Sequence, residues 1–280
     1  MRIGGTAQYF AEIKTREELE DATAFAREKN IPLIPLGSGS NTIFADGEIR
    51  ALVVQLKNDA VAVEENRITV GAGKNLPMLV NELAMQGLDL SALTGIPGTV
   101  GGAIFGNAGQ GPKGIWIDSF VESVTVYDGE WKTVSKEECG FGYRESGFKS
   151  HKSQVIRHKS ASIIWEVTLS LPSGDPDVIK ATIESLLKKR IETQPHARTA
   201  GSCFKAVGDT PAWQLIDAVG LRGYKVGDIE ISTKHANFLI SGKEPKFSDA
   251  MALITAVKEK IPRGLEVEMR CFGEDGALVA

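Results

Sequence analysis

The sequence predicts an α+β protein assembled from several small units, and three observations support this prediction. Residues 1–56 carry a strand–helix–strand pattern, in which Thr15 and Glu18 form a capping box at the start of the helix. Residues 57–172 contain short segments of alternating polarity and are therefore expected to be mostly β. Beyond the helix breaker Gln194-Pro195, strands and helices are mixed in a compact module.

Turn and capping signals place the elements of the first two units. The first helix is expected to run to about residue 30 and to stop before Pro32. A second helix is predicted with Asn75 as N-cap and Gly87 just past its end. Asp128-Gly129 is typical of a hairpin turn. Strands are predicted over residues 31–34, 51–56, 61–64, 67–72, 120–127 and 162–171.

The C-terminal half has equally clear helix starts. Asp175-Pro176 predicts the beginning of a long helix, and Thr210 is expected to cap another one, with Pro211 as its first residue. A last helix is predicted over residues 248–261. Strands are predicted over residues 203–205, 226–232, 236–241 and 265–272.

The predicted last strand, residues 265–272, alternates cleanly between apolar and charged residues. Its charged face carries Glu266, Glu268 and Arg270. Two carboxylates and a guanidinium on one face fit a solvated edge strand as well as the wall of an active site.

Composition and charge exclude several classes of function. The chain of 280 residues is 42% hydrophobic and has a formal net charge of −4, which gives no electrostatic case for binding nucleic acid or an anionic membrane. No apolar run approaches the roughly 20 residues that span a bilayer. The first residues lack the apolar core of a secretion signal, so a cytoplasmic protein is expected. Three widely spaced cysteines with only four histidines predict buried free thiols and no metal site.

Two glycine-rich stretches, residues 35–42 and 94–109, are the most informative part of the sequence. Glycine is favoured where the backbone turns through positive φ or approaches a ligand closely, and the amides of such turns bind anions such as a pyrophosphate. Neither stretch ends in the Lys-Ser/Thr of a P-loop, and neither is a GxGxxG motif that opens a helix. This argues against a plain Rossmann domain or an NTPase. Tight turns between short strands are the alternative interpretation.

Both stretches resemble the loops that hold the pyrophosphate and ribityl chain of FAD in the UDP-N-acetylenolpyruvoylglucosamine reductases, the MurB family of bacterial cell-wall synthesis. The resemblance extends in order from Met1 to about Gly273. Family motifs are matched by residues 141–148 (F-G-Y-R-x-S-x-F), 201–205 (G-S-x-F-K), 221–224 (L-K-G-Y), 234–238 (K-H-A-N-F) and 268–273 (E-x-R-x-x-G). The compact spacing between Pro195 and Gly201 is similar to the shorter, type II form of the family.

The resemblance implies a two-lobed FAD-binding domain of the vanillyl-alcohol-oxidase/PCMH type and a C-terminal α+β substrate-binding domain. The implied units are FAD-binding lobe 1 (residues 1–56), FAD-binding lobe 2 (57–184), the substrate-binding domain (185–264) and a C-terminal strand that returns to the flavin site (265–280). A monomer is expected.

The implied reaction is the FAD-dependent reduction of an enolpyruvyl ether of UDP-N-acetylglucosamine to UDP-N-acetylmuramate, with NADPH as co-substrate. Hydride addition places negative charge beside the substrate carboxylate, and a proton must then reach the same carbon. The resemblance assigns charge stabilisation to Arg144, proton donation to Ser202 and the role of a supporting acid to Glu268. A carboxyl that stays protonated near neutral pH needs a raised pKa, which burial would supply.

The resemblance also implies two sets of binding residues. FAD is expected at Gly37, Ser38, Gly39, Ser40, Asn41, Thr42, Gly95, Ile96, Pro97, Gly98, Thr99, Gly101, Gly102, Ala103 and Asn107. The substrate is expected at Tyr143, Lys205, Lys234, His235 and Asn237. A strand-end histidine bonded to backbone is preferred over a general base for His235, and an exposed surface lysine is the alternative for Lys205.

Several positions depart from the family pattern. Ala206 stands where an asparagine usually follows the G-S-x-F-K motif, Gly227-Asp228 replaces a Gly-Gly pair, and Gly106 and residues 110–113 vary a flavin loop. The chain begins inside an R-I-G-G motif, so a lead-in segment is expected to be missing or never to have existed. Two other hypotheses stay open: another flavoprotein oxidoreductase of the same fold, and a nucleotide-sugar-binding homologue without turnover.

Overall fold

The structure is a computed structural model that describes residues 1–110, 114–149, 162–262 and 264–280. The helices are α1 (Arg16–Glu28), α2 (Leu76–Ala84), α3 (Val100–Phe105), α4 (Pro176–Thr193), α5 (Ala212–Ala218) and α6 (Phe247–Lys260). The strands are β1 (Thr6–Ile13), β2 (Leu33–Leu36), β3 (Thr42–Phe44), β4 (Glu48–Leu56), β5 (Val61–Glu64), β6 (Arg67–Gly71), β7 (Val121–Tyr127), β8 (Trp131–Ser135), β9 (Ile163–Ser170), β10 (Thr199–Ser202), β11 (Lys225–Val226), β12 (Ile229–Ile231), β13 (Phe238–Ser241) and β14 (Arg270–Phe272). Within these ranges no helix is both long and apolar enough to cross a membrane.

The N-terminal sheet is parallel and has the strand order β1-β4-β2. Helix α1 connects β1 to β2 and begins at the predicted capping box: Thr15 Oγ1 accepts a hydrogen bond from Glu18 N, and the Glu18 carboxylate accepts one from Thr15 N. Leu19 of α1 is fully buried in an apolar cluster with Ile13 and Val54 of the sheet. The predicted strand–helix–strand pattern is therefore confirmed.

The central sheet has five antiparallel strands in the order β5-β6-β9-β7-β8. Asn75 caps α2 by accepting a hydrogen bond from Met78 N at 3.0 Å, and Gly87 leaves the helix with a φ of +74°. The sheet, α2, α3 and α4 share one large cluster of buried apolar side chains. Where they are described, residues 57–172 contain these five strands but also α2, α3 and long loops, so the prediction that the region is mostly β is wrong.

The third sheet is antiparallel, in the order β10-β13-β12-β11, and packs with α5 and α6. Ile216 of α5, Leu253 of α6 and Leu239 of β13 belong to the same buried cluster. The end of the chain then returns to the N-terminal half, because β14 pairs in parallel with β3 and Phe272 stacks on Phe44 at 5.2 Å. The region around β3 is therefore contributed by both ends of the chain.

The predicted last strand, residues 265–272, is regular only over β14. Residues 266–268 bond instead to the segment after β10: Lys205 N donates to Glu266 O at 2.9 Å, and Glu268 N donates to Cys203 O at 2.8 Å. The segment 203–205, predicted as a strand, forms this single bridge because β10 already ends at Ser202. The two irregular segments lie side by side, which brings Glu268 beside Cys203, the residue that follows Ser202.

Three local predictions are wrong. The second glycine-rich stretch does open a helix, the short α3. Pro211 rather than Thr210 is the N-cap of α5, because Thr210 exchanges backbone hydrogen bonds with Val207 instead. The predicted strand 226–232 is a hairpin of β11 and β12, since Gly227 turns with a φ of +53°. Helix α4 continues across the predicted boundary between residues 184 and 185, and the domain limits stay a prediction.

Candidate active site

A cavity of about 480 Å³ lies where the two glycine-rich stretches meet. The glycines of each stretch lie close to side-chain hydroxyls of the other: a Cβ on Gly37 would lie 2.6 Å from Thr99 Oγ1, and one on Gly98 would lie 2.8 Å from Ser40 Oγ. Ser40 Oγ also donates a hydrogen bond to Pro97 O at 3.3 Å. Gly98 has a φ of +117°, which other residues rarely adopt. The glycines are thus needed to join the two turns into one wall of the cavity.

Helix α3 continues this wall and packs tightly on the central sheet. Thr99 caps the helix by accepting a hydrogen bond from Gly102 N at 3.3 Å. A Cβ on Gly101 would lie 2.8 Å from the Cβ of Ala72, just past the end of β6. Gly101 therefore allows the helix to approach the sheet, whereas a Cβ on Gly102 would meet only ordinary van der Waals contact.

The predicted FAD-binding residues, with one exception, line the cavity. Those that line it are Gly37, Ser38, Gly39, Ser40, Asn41, Thr42, Gly95, Ile96, Pro97, Gly98, Thr99, Gly101, Gly102 and Ala103. The exception is Asn107, which is fully buried beside the wall. Its amide donates to Gly142 O at 2.9 Å and accepts from Asp118 N at 3.2 Å, so it ties α3 to the segment that carries Arg144. Of the predicted variation at residues 110–113, Gly111 to Lys113 lie outside the described residues.

The polar groups around the cavity fit a dinucleotide cofactor. Within the described ranges, three buried side-chain atoms of the lining have no hydrogen-bond partner, namely Asn41 Oδ1, Ser162 Oγ and Arg190 Nε, while Arg144 Nε makes an ion pair with Glu268. Buried polar atoms are almost always bonded, so unpartnered ones that line a cavity point to a polar ligand. Narrow glycine turns, cationic side chains and unpartnered donors together fit the pyrophosphate and flavin of FAD.

Arg144 and Glu268 meet in the lining of the cavity. Arg144 Nε lies 3.3 Å from Glu268 Oε1, and Arg144 Nη2 donates to Gly109 O at 2.8 Å. Both side chains are mostly buried. Arg144 has a φ of +56° in a tight turn closed by hydrogen bonds between Gly142 and Glu145. Such left-handed backbone is unfavourable for arginine and is typical of functional sites.

Glu268 is the one acidic residue that lines the cavity in the described part of the chain. Burial raises the pKa of its carboxyl above the ordinary glutamate value, while the charges of Arg144, Lys149 and Lys205 act in the opposite direction. The net effect keeps the carboxyl protonated to a higher pH than a solvated glutamate, which suits a group that donates a hydrogen bond or a proton.

Ser202 faces the same cavity from the end of β10. Its backbone pairs with Phe238 of β13, and the next residue, Cys203, accepts the hydrogen bond from Glu268 N at 2.8 Å. Arg144, Ser202 and Glu268 come from three distant parts of the sequence and line one cavity. Had these three residues been too far apart to contact one small molecule, the predicted chemistry would have been excluded.

None of the five predicted substrate residues lines the cavity, and their polar side-chain groups bond to protein. Tyr143 Oη accepts a hydrogen bond from Ala206 N at 3.4 Å, and Lys234 Nζ donates to Ile191 O at 2.6 Å. Asn237 is buried and bonds through both amide atoms to the backbone of Phe204.

The other two predicted substrate residues are partly or fully withdrawn from solvent. His235 Nδ1 accepts from Asn237 N at 3.3 Å, and burial lowers the pKa of the imidazole. The sequence analysis favoured this interpretation, in which a strand-end histidine is hydrogen-bonded to backbone. Lys205 is nearly buried and binds the carboxylates of Glu145 and Glu266, so it is not the exposed lysine considered as an alternative.

Three cationic residues of the cavity are absent from the predicted site. Arg270 lies between the rings of Phe105 and Phe272, 4.7 and 4.6 Å from their centroids, and burial lowers the pKa of its guanidinium to about 10. Arg190 donates to Thr94 O at 3.0 Å, and Lys149 donates to Arg144 O at 3.1 Å. The E-x-R-x-x-G motif offers a signal for Arg270. Arg190 at the end of α4 is indistinguishable from a residue that complements the helix dipole.

Two family models match the chain. The model described as "FAD binding domain" matches residues 7–135, and the one described as "UDP-N-acetylenolpyruvoylglucosamine reductase, C-terminal domain" matches residues 194–271. The first contains both glycine-rich stretches, and the second contains Ser202 and Glu268.

Curated proteins and solved structures agree with these matches. UDP-N-acetylenolpyruvoylglucosamine reductase of Moorella thermoacetica is 38% identical over 98% of this chain and 89% of its own length, and that of Geobacter metallireducens is 36% identical over 98% and 91%. The crystal structure of the reductase (MurB) from Thermus caldophilus superimposes with a TM-score of 0.79 at 34% identity, covering 94% of this chain and 91% of the other. The predicted fold class is confirmed, and the chain belongs to the UDP-N-acetylenolpyruvoylglucosamine reductase family.

Proposed function

We propose that the protein reduces the enolpyruvyl ether of UDP-N-acetylglucosamine to UDP-N-acetylmuramate, with bound FAD and with NADPH as the hydride donor. One observation carries the proposal: Arg144, Ser202 and Glu268 line a single cavity next to two joined glycine turns. The names of the relatives support the substrate class. The presence of all three groups gives no support to an oxidase of another substrate or to a homologue without turnover.

The glycine wall is the proposed FAD site. The amides of the turns at Gly39 and Gly98, with the hydroxyls of Ser38 and Ser40, would hold the pyrophosphate. Arg190 and Arg270 add positive charge to the same cavity. When bound, FAD accepts a hydride from NADPH and supplies it to the enolpyruvyl double bond.

Arg144 is proposed to stabilise the negative charge that develops beside the substrate carboxylate. A planar guanidinium binds a carboxylate or enolate through two parallel hydrogen bonds, and the Arg144 guanidinium lines the cavity beside Glu268. Its strained turn and its bond to Gly109 O fix the group before substrate binds. Charge stabilisation by a preorganised donor is among the largest contributions to catalysis.

Ser202 is proposed to donate the proton to the carbon next to the carboxylate. An alcohol is a weak acid, but its partner here is a strongly basic carbon centre, so a correctly oriented hydroxyl suffices. Glu268, whose pKa burial raises, is proposed in its protonated form to donate a hydrogen bond to the enolate and to share its proton with the reacting centre. Tyr143, Lys234 and His235 are proposed to border the nucleotide part of the substrate.

The finer cellular context is also a proposal. We infer an enzyme of the cytoplasm, because the three described thiols of Cys139, Cys203 and Cys271 are free and buried, as expected in a reducing compartment. We also infer a monomer. All three proposed catalytic groups belong to one chain, so the site needs no partner subunit. Size-exclusion chromatography with light scattering would test the monomer.

A double-mixing stopped-flow experiment tests the proposed reaction. The protein loaded with FAD is mixed first with NADPH and then, after the nucleotide is consumed, with the UDP-sugar enolpyruvyl ether. The proposal predicts bleaching of the flavin absorbance in the first step, its return in the second, and UDP-N-acetylmuramate as the product. Flavin that is bleached by NADPH but does not recover with this substrate would refute the proposed substrate class. Protein that stays colourless after reconstitution with FAD would refute the cofactor assignment.

A further inference from the structure

The ammonium group of Lys205 is nearly withdrawn from solvent. Its side chain is 7% exposed and binds two carboxylates, those of Glu145 and of Glu266, the latter at 2.6 Å. A buried charge is costly unless it is paired, and Lys205 is paired on both sides. In this conformation the lysine is bonded to protein and does not line the cavity.

Each partner of Lys205 is a close neighbour of a proposed catalytic residue. Glu145 directly follows Arg144 and closes its turn through two backbone hydrogen bonds with Gly142, of 3.0 and 3.1 Å. Glu266 lies two residues before Glu268, and its carbonyl accepts the hydrogen bond from Lys205 N at 2.9 Å. One ammonium group therefore connects the turn of Arg144 to the segment of Glu268.

The turn of Arg144 needs such support. Arg144 has a φ of +56°, a conformation that persists in a non-glycine residue only when its surroundings hold it. Lys149 donates a hydrogen bond to the Arg144 carbonyl at 3.1 Å, and Asn107 donates one to the Gly142 carbonyl at 2.9 Å. Both donors belong, like the turn itself, to the part of the chain that precedes the C-terminal sheet. Lys205 contributes a contact to this turn from the C-terminal sheet region.

We propose that Lys205 is a positioning residue that clamps Glu145 and Glu266 and thereby sets Arg144 opposite Glu268, rather than a ligand of the substrate phosphates. The inference rests on the proposed function of this site. The distance it maintains is the 3.3 Å between Arg144 Nε and Glu268 Oε1. A shift of about 1 Å in such a pair is enough to slow catalysis by about 100-fold.

Lys205 has a second, electrostatic effect that a phosphate ligand in solvent would not have. The charged groups that act on Glu268 are Arg144, Lys149 and Lys205, and each opposes the rise in the pKa of Glu268 that burial causes. Loss of Lys205 therefore raises the pKa of Glu268 further. The alkaline limb of the substrate-dependent step then moves to higher pH.

The test compares Lys205→Met, Lys205→Arg and Glu145→Gln in the full chain loaded with FAD. The clamp predicts that Lys205→Met lowers kcat by about 10- to 100-fold with an unchanged KM for the UDP-sugar, because the catalytic groups are displaced while substrate contacts remain. Glu145→Gln is expected to lower kcat as well, and Lys205→Arg is expected to retain most of the wild-type kcat. The alkaline limb shifts upward in Lys205→Met, and bleaching of the flavin by NADPH proceeds at the wild-type rate.

Lys225→Met is the matched control, because Lys225 lies near the same sheet and pairs with Glu230 at 3.0 Å in an exposed ion pair. If Lys205 acts as the clamp, Lys225→Met keeps the wild-type kcat and pH profile. The proposal is overturned if Lys205→Met raises KM with unchanged kcat while Glu145→Gln has no effect, the result expected of a phosphate ligand. Unchanged kinetics in both variants overturn it as well. Failure of the proposed function would be seen separately, as a wild-type protein that does not reduce the UDP-sugar.

Discussion

The cavity has two walls that differ in chemical nature, one formed by glycine turns and one by charged side chains. The wall of glycine turns consists of backbone, and its close contacts, such as Gly98 against Ser40, leave no room for a side chain. The other wall carries charged side chains: Arg144 and Glu268 form an ion pair in it, and Lys205, outside the lining, pairs with Glu145 and Glu266. Backbone amides do not titrate, whereas buried charges respond to every change in their neighbours. Substitutions in the first wall should therefore change flavin affinity, and those in the second should change rate and pH dependence.

Ser202→Ala is expected to have the largest effect. It removes the proposed proton donor, so recovery of the flavin absorbance with the UDP-sugar should slow by roughly 10²- to 10⁴-fold. Bleaching by NADPH should be unchanged, since Ser202 acts only on the substrate. Stopped-flow absorbance measures both steps in one sample. Equal recovery rates in wild type and variant would remove Ser202 from the mechanism.

Arg144→Lys is the next largest. Lysine keeps the charge but lacks the planar pair of donors, so kcat should fall by about 10²- to 10³-fold. Steady-state kinetics with the UDP-sugar measure the loss. The replacement also removes the Nη2 bond to Gly109 O. A lysine variant with more than half of the wild-type kcat would show that charge alone suffices and that the paired geometry is unnecessary.

The functions of the two walls are expected to differ in their pH dependence. Burial raises the pKa of Glu268, so its protonated form persists above the ordinary value of about 4.3 and is lost as pH rises through the raised pKa. The substrate-dependent rate should therefore decline on the alkaline side, and Glu268→Gln should be slow but lack that decline. Flavin binding should vary little over the same range. An identical alkaline limb in Glu268→Gln would assign it to another group.

Gly98→Ala, a substitution in the glycine wall, is expected to have the smallest effect of the single substitutions. An alanine at φ of +117° is strained and its Cβ would collide with Ser40 Oγ, so flavin binding should weaken by about 1–3 kcal/mol. Gly129→Ala is the control, because Gly129 has a comparable φ of +106°, a Cβ there would meet only Arg27 Nη2 at 3.6 Å, and the residue does not line the cavity. Isothermal titration with FAD compares the two. Equal affinities would mean that the joined turns do not determine flavin binding.

The sequence predicts the glycine wall better than the charged wall, for a physical reason. A glycine that must adopt positive φ or allow close approach can hardly be replaced, so residues such as Gly37 and Gly98 are visible in the sequence itself. The motifs around Arg144, Ser202 and Glu268 were likewise recognisable by resemblance.

Side chains whose role depends on burial could not be predicted in this way. Arg190 has the appearance of an ordinary helix-end charge, and Asn107 and Asn237 bond to backbone that is distant in sequence. From the sequence, Lys205 fits a substrate-binding residue or an exposed surface lysine, and only the structure shows its two carboxylate partners. The last strand is shorter than its alternation predicts, because residues 266–268 bond to 203–205 and form the connection that brings Ser202 to Glu268.

The central claim is that Arg144, Ser202 and Glu268 act together on one bound molecule, and the Ser202→Ala/Glu268→Gln double variant tests it most directly. Groups that act as a unit give losses that do not multiply. In the stopped-flow recovery with the UDP-sugar, the double variant should be little slower than the slower of the two single variants. A rate lowered by the full product of the two single losses would contradict the account, because it would mean that the two residues act independently.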